Sequence, residues 1–194
     1  MGPIYTVILA AGGSSRLGRP KQLLKHRGTA LLVRALRLAD SITPGRVVVV
    51  LGAQRLRLRL LVRRHQRAPT RLVNNGAWQT GMAGSLRRGL DALPAHCDAA
   101  LLLVVDQPGI SRTALARLLA AASRRPGRLV AATYGGRPGV PAVIPRRYWR
   151  ELRRLGGDQG ARRLLRRHGA RVIEVELPEA AWDIDVPEDA ARLG

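Results

Sequence analysis

The chain has 194 residues, one cysteine, a formal charge of +21 and a sequence pI near 11.9. That length suits a single domain, 1–194, with a core large enough to need no disulfide or metal staple, and Cys97 has no partner for an internal bridge. The longest apolar stretch, Ala99 to Val105, is strand-sized, and Met1 to Ala11 lacks the basic leader of a secretory signal, so the expectation is a cytoplasmic protein without a membrane partner.

The charge brings nucleic-acid binding forward as a class. Against it, Lys21 and Lys25 are the only lysines, so the excess is arginine with the look of coding bias. Aromatic residues are only 3% of the chain, with no Phe, which leaves few platforms for stacking bases. Solvated arginine-rich helix faces are expected, and nucleic acid is not an expected partner. Asp40 is the only acid before Asp91, whereas Glu174, Glu176, Glu179, Asp183, Asp185, Glu188 and Asp189 crowd the end. A positive field over the first half favours an anionic substrate.

In chain order, Ile4 to Leu9 is short, β-branched and apolar, and reads as a buried strand. Apolar positions 32, 35, 36 and 39 then repeat with helical spacing, and Arg46 to Leu51 is a second strand. Arg55-Leu56-Arg57-Leu58-Arg59-Leu60 alternates like a strand. It is assigned to a helix because it runs on into Leu61-Val62-Arg63-Arg64 and lies between two strands that need a crossover. Strands follow at Thr70 to Asn74, Ala99 to Val105 and Leu129 to Thr133, with a helix between the last two on positions 115, 118, 119 and 122. Gly135 to Pro141 reads as a loop, an excursion able to cover a pocket, followed by the short apolar Ala142 to Ile144, a helix led by Pro145 and another over Ala161 to His168. The alternation predicts an α/β fold with a sheet covered by helices on both faces.

The segment Leu9-Ala10-Ala11-Gly12-Gly13-Ser14-Ser15-Arg16-Leu17-Gly18-Arg19-Pro20-Lys21 follows the first strand. Its small residues let backbone N–H groups approach phosphate oxygens, and Arg16 and Lys21 add charge-assisted contacts, which suits a nucleoside triphosphate. It is neither a dinucleotide fingerprint nor a P-loop, since Arg19 stands where a P-loop has its lysine. Asp106 ends a central strand, at the sheet edge where ligands bind, and a carboxylate beside a triphosphate calls for Mg²⁺ between them. Asp183 and Asp185 alternate around Ile184 and point the same way if the segment is extended. Two structural readings stay open: Asp106 opening a turn, and Asp185 capping a helix that begins at Pro187. Asn75 to Ser85 is a second small-residue loop. Gly81, Gly84 and Ser85 open a helix toward a ligand, with Asn75 or Ser85 reading sugar or base; alternatively Asn75-Gly76 is a plain turn anchored by Trp78. The four histidines lack metal spacing, and no G-x-S-x-G elbow surrounds Ser14 or Ser15, which disfavours zinc or serine chemistry.

Leu9-Ala10-Ala11-Gly12-x-Ser14-x-Arg16-x-Gly18-x-x-Lys21 resembles the signature of the nucleotidyltransferases that include the molybdenum cofactor cytidylyltransferases and guanylyltransferases. The likeness continues through Asn75-x-x-Trp78-x-x-Gly81-Met82-x-x-Ser85, Asp106-Gln107-Pro108, Gly139-x-Pro141, Gly157-Asp158-x-Gly160-Ala161-Arg162 and Asp183-Ile184-Asp185, with the cytidylyltransferase pattern at 10–12 and 106–108. The resemblance implies a three-layer, Rossmann-like α/β/α fold on a mostly parallel sheet, of the nucleotide-diphospho-sugar-transferase type, and transfer of CMP from CTP to the terminal phosphate of a molybdopterin-type cofactor. Pyrophosphate would be released, and a molybdoenzyme or its chaperone would receive the product. It places Leu9, Ala10, Ala11, Gly12, Gly13, Ser14, Arg16, Lys21, Asn75, Gly81, Met82 and Ser85 at the nucleotide and Mg²⁺ on Asp106 and Asp185. Lys21, Arg16 and Asp106 become the catalytic groups, and Gln107, Pro108, Gly139, Pro141 and Asp158 face the acceptor. Val140 stands where such cytidylyltransferases carry histidine. The acceptor therefore stays open to another phosphorylated compound, such as a sugar or alditol phosphate.

Overall fold

The computed structural model describes residues 2–193. A seven-stranded sheet runs through the molecule in the order β5-β4-β1-β6-β8-β7-β9. Its parallel half comprises β1 (Ile4–Ala10), β4 (Val47–Leu51), β5 (Thr70–Asn74) and β6 (Ala99–Val104). These strands are apolar on both faces because both are covered. Along β6, Leu101 and Leu103 pack with α1 (Leu31–Ile42), α2 (Arg55–His65) and α4 (Arg112–Arg124), while Ala100 and Leu102 pack on the opposite side with α3 (Met82–Asp91), α5 (Trp149–Arg153) and α6 (Ala161–His168). Helix α2 is the crossover that the Arg-Leu alternation hid: Leu58 and Val62 are buried, and Leu56 and Leu60 lie in solvent.

The chain builds β1, β4 and β5 outward on one side, then returns through α3 to place β6 on the other side of β1. The strand order therefore reverses between β1 and β6, and a crevice opens above their carboxyl ends. Into it lead the two segments singled out in the sequence, the glycine loop after β1 and Asp106 after β6.

The expected loop at 135–141 is wrong. Gly135 and Gly136, with φ of 57° and 69°, make a two-residue hairpin turn between β7 (Val130–Tyr134) and β8 (Arg137–Pro145), and β8 lies antiparallel between β6 and β7. Pro138 and Pro141 disguise a strand because proline donates no ladder hydrogen bond. Here the register slips between Ala131 and Ala132, pairing them with Ala142 and Gly139, so Val140 and Pro141 form a bulge. The expected Pro145-led helix is a 3₁₀ turn over Arg146–Tyr148 that continues into α5. Edge strand β9 (Ile173–Glu176), parallel to β7, was missed, although Ile173 and Val175 alternate with glutamates. A small hairpin of β2 (Lys25–His26) and β3 (Thr29–Ala30) sits before α1, and α7 (Pro187–Ala191) closes the described chain.

Candidate active site

The glycine loop is fixed from three sides. Gln22, buried, donates to the carbonyls of Ala10 at 3.0 Å and Gly12 at 2.8 Å. Trp78 lies so close that a Cβ on Gly13 would meet its ring at 2.6 Å, so only glycine fits there. Leu17 is buried against Ile184 and Leu193 of the C-terminal segment. Ser14 adopts left-handed backbone at φ 57°, and its hydroxyl accepts from the Lys21 N–H at 3.1 Å. Ser14 thereby shapes the turn that aims Lys21, and Ser15 faces the cavity in its place.

The C-terminal segment brings the carboxylates together. The Ile184 N–H donates to the Asp106 carbonyl at 3.0 Å while the Ile184 side chain is fully buried, so Asp183 and Asp185 turn the same way, toward Asp106. One carboxylate oxygen from each of Asp106, Asp183 and Asp185 lies within 4.8 Å of the others. The expected metal pair was Asp106 and Asp185; Asp183 joins it as a third member, on the side its spacing from Asp185 indicates. Asp185 does not cap the last helix. Val186 holds the N-cap position, and Asp189 accepts from the N–H groups of Asp185 and Val186.

Lys21 Nζ donates to Asp106 Oδ2 at 2.7 Å and Asp185 Oδ1 at 2.9 Å, and Arg16 Nη2 to Asp185 Oδ2 at 3.1 Å. Burial works to lower the Lys21 ammonium, but the two carboxylates outweigh it and hold the group above its ordinary value. Burial likewise works to raise Asp185, yet Lys21 and Arg16 hold it below the usual carboxylate range. Asp183 has no such pairing. Burial, then the facing Asp106 and Asp185, push its carboxyl up to about 7. Oδ1 of Asp106 and Oδ1 of Asp183 are buried without a hydrogen-bond partner. Three hard carboxylate donors with orphaned oxygens are a donor set that fits a small divalent cation.

Two cavities meet at this cluster. The larger, about 950 Å³, is lined by Arg16, Lys21 and the three aspartates, with Leu9, Met82 and Val140 as apolar floor and Asp158, Arg162, Arg163 and Arg166 on the far wall. The smaller, about 390 Å³, runs back between the glycine loop (Ala10 to Gly13) and the start of α3, with Gly81, Met82 and Ser85 on its wall. Leu9, Lys21, Met82, Asp106 and Asp158 line both. Asn75 faces neither cavity: it is 2% exposed and donates to Ser85 Oγ at 3.0 Å, so it orients the serine from behind. Gly81, at φ 109°, packs so tightly that a Cβ would lie 2.3 Å from the Gly157 carbonyl, which holds the 156–160 loop to the start of α3.

Three residues expected at the acceptor turn elsewhere. Pro108 and Pro141 line a separate cavity on the α1 and α4 side of the sheet, because consecutive residues of an extended chain alternate faces and Val140 takes the inward position. Gly139 lies under the Tyr134 hydroxyl, where a Cβ would meet it at 2.5 Å. Gln107 reaches the larger cavity, but its amide is engaged as a clamp, donating to Tyr134 Oη, the Val140 carbonyl and, at 2.8 Å, the Ala180 carbonyl. The same Tyr134 hydroxyl accepts from Arg162 at 2.8 Å, a residue the sequence reading quoted without a role.

Comparison with known proteins adds four findings. Residues 6–172 match the family described as "MobA-like NTP transferase domain". The chain is 36% identical to the nicotine blue oxidoreductase of Paenarthrobacter nicotinovorans, over 96% of this chain and 94% of that protein. Among solved structures it is similar to Rv0371c of Mycobacterium tuberculosis H37Rv, with a TM-score of 0.81 at 29% identity over 99% of this chain and 97% of that one. A structure of that protein in complex with manganese aligns with a TM-score of 0.75 at 26% identity, covering 99% of this chain and 97% of that one.

Proposed function

Since this chain belongs to the MobA-like NTP transferases and is a nucleotidyltransferase, we propose that it transfers CMP from CTP to the terminal phosphate of a molybdopterin-type cofactor. The observation that carries this reading is Lys21, bridging Asp106 and Asp185 at the mouth of the glycine loop in the cleft above β1 and β6. An oxygen of the acceptor phosphate attacks the α-phosphorus, the bond from that phosphorus to the bridging oxygen breaks, and pyrophosphate leaves. Such a transfer needs positioning and charge neutralisation more than a covalent nucleophile.

The backbone of Ala10 to Gly13 cradles the triphosphate, Arg16 pairs with its distal end, and Lys21 meets the charge that builds on the α-phosphate. Ser85, oriented by Asn75, reads the base or ribose from the smaller cavity. The acceptor enters over Val140 and Met82, toward Asp158. Asp106, Asp183 and Asp185 would hold Mg²⁺, and the manganese complex of the Mycobacterium tuberculosis relative supports a divalent ion in this fold. Such an ion supplies charge neutralisation between carboxylates and phosphates.

A second reading, hydride transfer with a nicotinamide dinucleotide, draws on the relative named as an oxidoreductase. Against it, β4 runs into Gly52-Ala53-Gln54 and offers no carboxylate for a ribose, whereas three carboxylates converge on the phosphate side. Pyrophosphate release measured with each of the four NTPs, Mg²⁺ or Mn²⁺, and molybdopterin-type or alditol phosphate acceptors tests the proposal. Acceptor-dependent release with CTP is expected. Release with GTP alone overturns the base assignment, and no release from any pair, with oxidation of a reduced nicotinamide dinucleotide, favours the second reading.

A further inference from the structure

We propose that the cavity between α1 and α4 is a second binding site, for a small molecule that joins an oxyanion to an apolar body. It measures about 340 Å³, roughly a third of the 950 Å³ catalytic cleft, and lies on the other side of the sheet. Leu103 and Val105 turn toward it as Leu102 turns toward the cleft. That size sits at the lower end of small-molecule pockets.

The charge of its lining is one-sided. Arg34 and Arg37, three residues apart and so on one face of α1, stand opposite Arg112, the first residue of α4, and among the described residues no carboxylate contributes to the wall. Arg34 Nη2 donates to the Pro108 carbonyl at 2.7 Å, and its Nε is buried with no partner. Burial and the neighbouring Arg27 hold this guanidinium below its usual value, so Arg34 is a half-buried cation lacking an anion. The positive end of the thirteen-residue α4 adds to the field. Beside the polar Thr29, Gln107 and Ser111, the wall carries Leu31, Leu38, Ile110 and Pro141, an apolar stretch that suits a hydrocarbon body.

The site also reaches the catalytic cleft. Pro108 is two residues beyond Asp106, and Gln107 lines both cavities while clamping Tyr134, Val140 and Ala180. An oxyanion that draws Arg34 away from the Pro108 carbonyl loosens the turn that carries Asp106.

Calorimetric titration with phenyl phosphate tests the inference without recourse to turnover. Binding should persist in Lys21→Ala and in the presence of CTP, should weaken about tenfold in Arg34→Gln/Arg112→Gln, and should exceed that of phenol by at least about tenfold. The single variant Arg112→Gln, at an exposed position, should weaken it by about threefold, which keeps the test sound if the double variant does not fold. No binding, or binding lost in Lys21→Ala and kept in Arg112→Gln, overturns the proposal and assigns the anion to the catalytic cleft.

Discussion

Replacing Lys21 by alanine removes the cation that touches both Asp106 and Asp185, and leaves three carboxylates facing one another with Arg16 paired to Asp185 and Arg162 across the cavity. Exposed ion pairs contribute up to about 1 kcal/mol, while breaking a buried one costs about 3–5 kcal/mol. The side chains of Lys21 and Asp106 are 15% and 18% exposed and that of Asp185 is 37% exposed, so the pairs fall between these limits. A loss of about 2 kcal/mol follows, which in a chain of this size lowers the melting temperature by roughly 4–8 °C. Millimolar Mn²⁺ should recover most of that loss, because a divalent cation neutralises the same oxygens, and it should bind the variant about tenfold more tightly than the parent protein. Turnover should nevertheless fall by about 10²–10³ if Lys21 meets the α-phosphate as proposed, since Mn²⁺ cannot replace that donor. Thermal unfolding with and without Mn²⁺, beside pyrophosphate release, reads all three effects. An unchanged melting temperature refutes the ion-pair argument, weaker Mn²⁺ binding refutes the shared-oxygen argument, and undiminished turnover removes Lys21 from the reaction.

Two further predictions concern the scaffold. Gly89 lets α3 lie on the sheet, and a Cβ there would sit 2.6 Å from Val7 Cγ1 and 3.1 Å from Val50 Cγ2. Gly89→Ala should therefore cost about 1–2 kcal/mol in urea denaturation, overpacking outweighing the gain in helix propensity, and a more stable variant would contradict the packing. Asp40 is 8% exposed, with one carboxylate oxygen at 3.4 Å from the Arg67 N–H and the other unpartnered, and burial holds its carboxyl above the usual range. A folded-state value above the unfolded one means that the group favours folding below the unfolded value, about 3.9, and loses that contribution as pH rises through the folded value. Asp40→Asn should then stabilise the protein at pH 7 by about 1 kcal/mol, with the gain gone by about pH 4; an equal effect at both pH values would show that ionisation is not the cause.

The sequence by itself determined the parallel half of the molecule and the placing of the glycine loop and Asp106 at the ends of its central strands. Strands apolar on both faces, joined by crossovers, leave few topologies, so Ile4 to Leu9 and Ala99 to Val105 were legible as central strands, and even the Arg-Leu alternation of α2 gave way to the need for a crossover. The glycine loop was legible because a run of small residues directly after an apolar strand has to turn at the strand's carboxyl end. Only the tertiary structure decided the antiparallel half, since Pro138 and Pro141 mask β8 and a bulge is fixed by partners distant in the chain. The same holds for the site's depth. Asp183 joins Asp106 because Ile184 is buried and hydrogen-bonded to the Asp106 backbone 78 residues earlier, and Pro141 faces away from Val140 because of which side of β8 each occupies. Local pattern fixes which groups a segment carries; which of them meet depends on long-range packing, where a one-residue step turns a side chain to the opposite face.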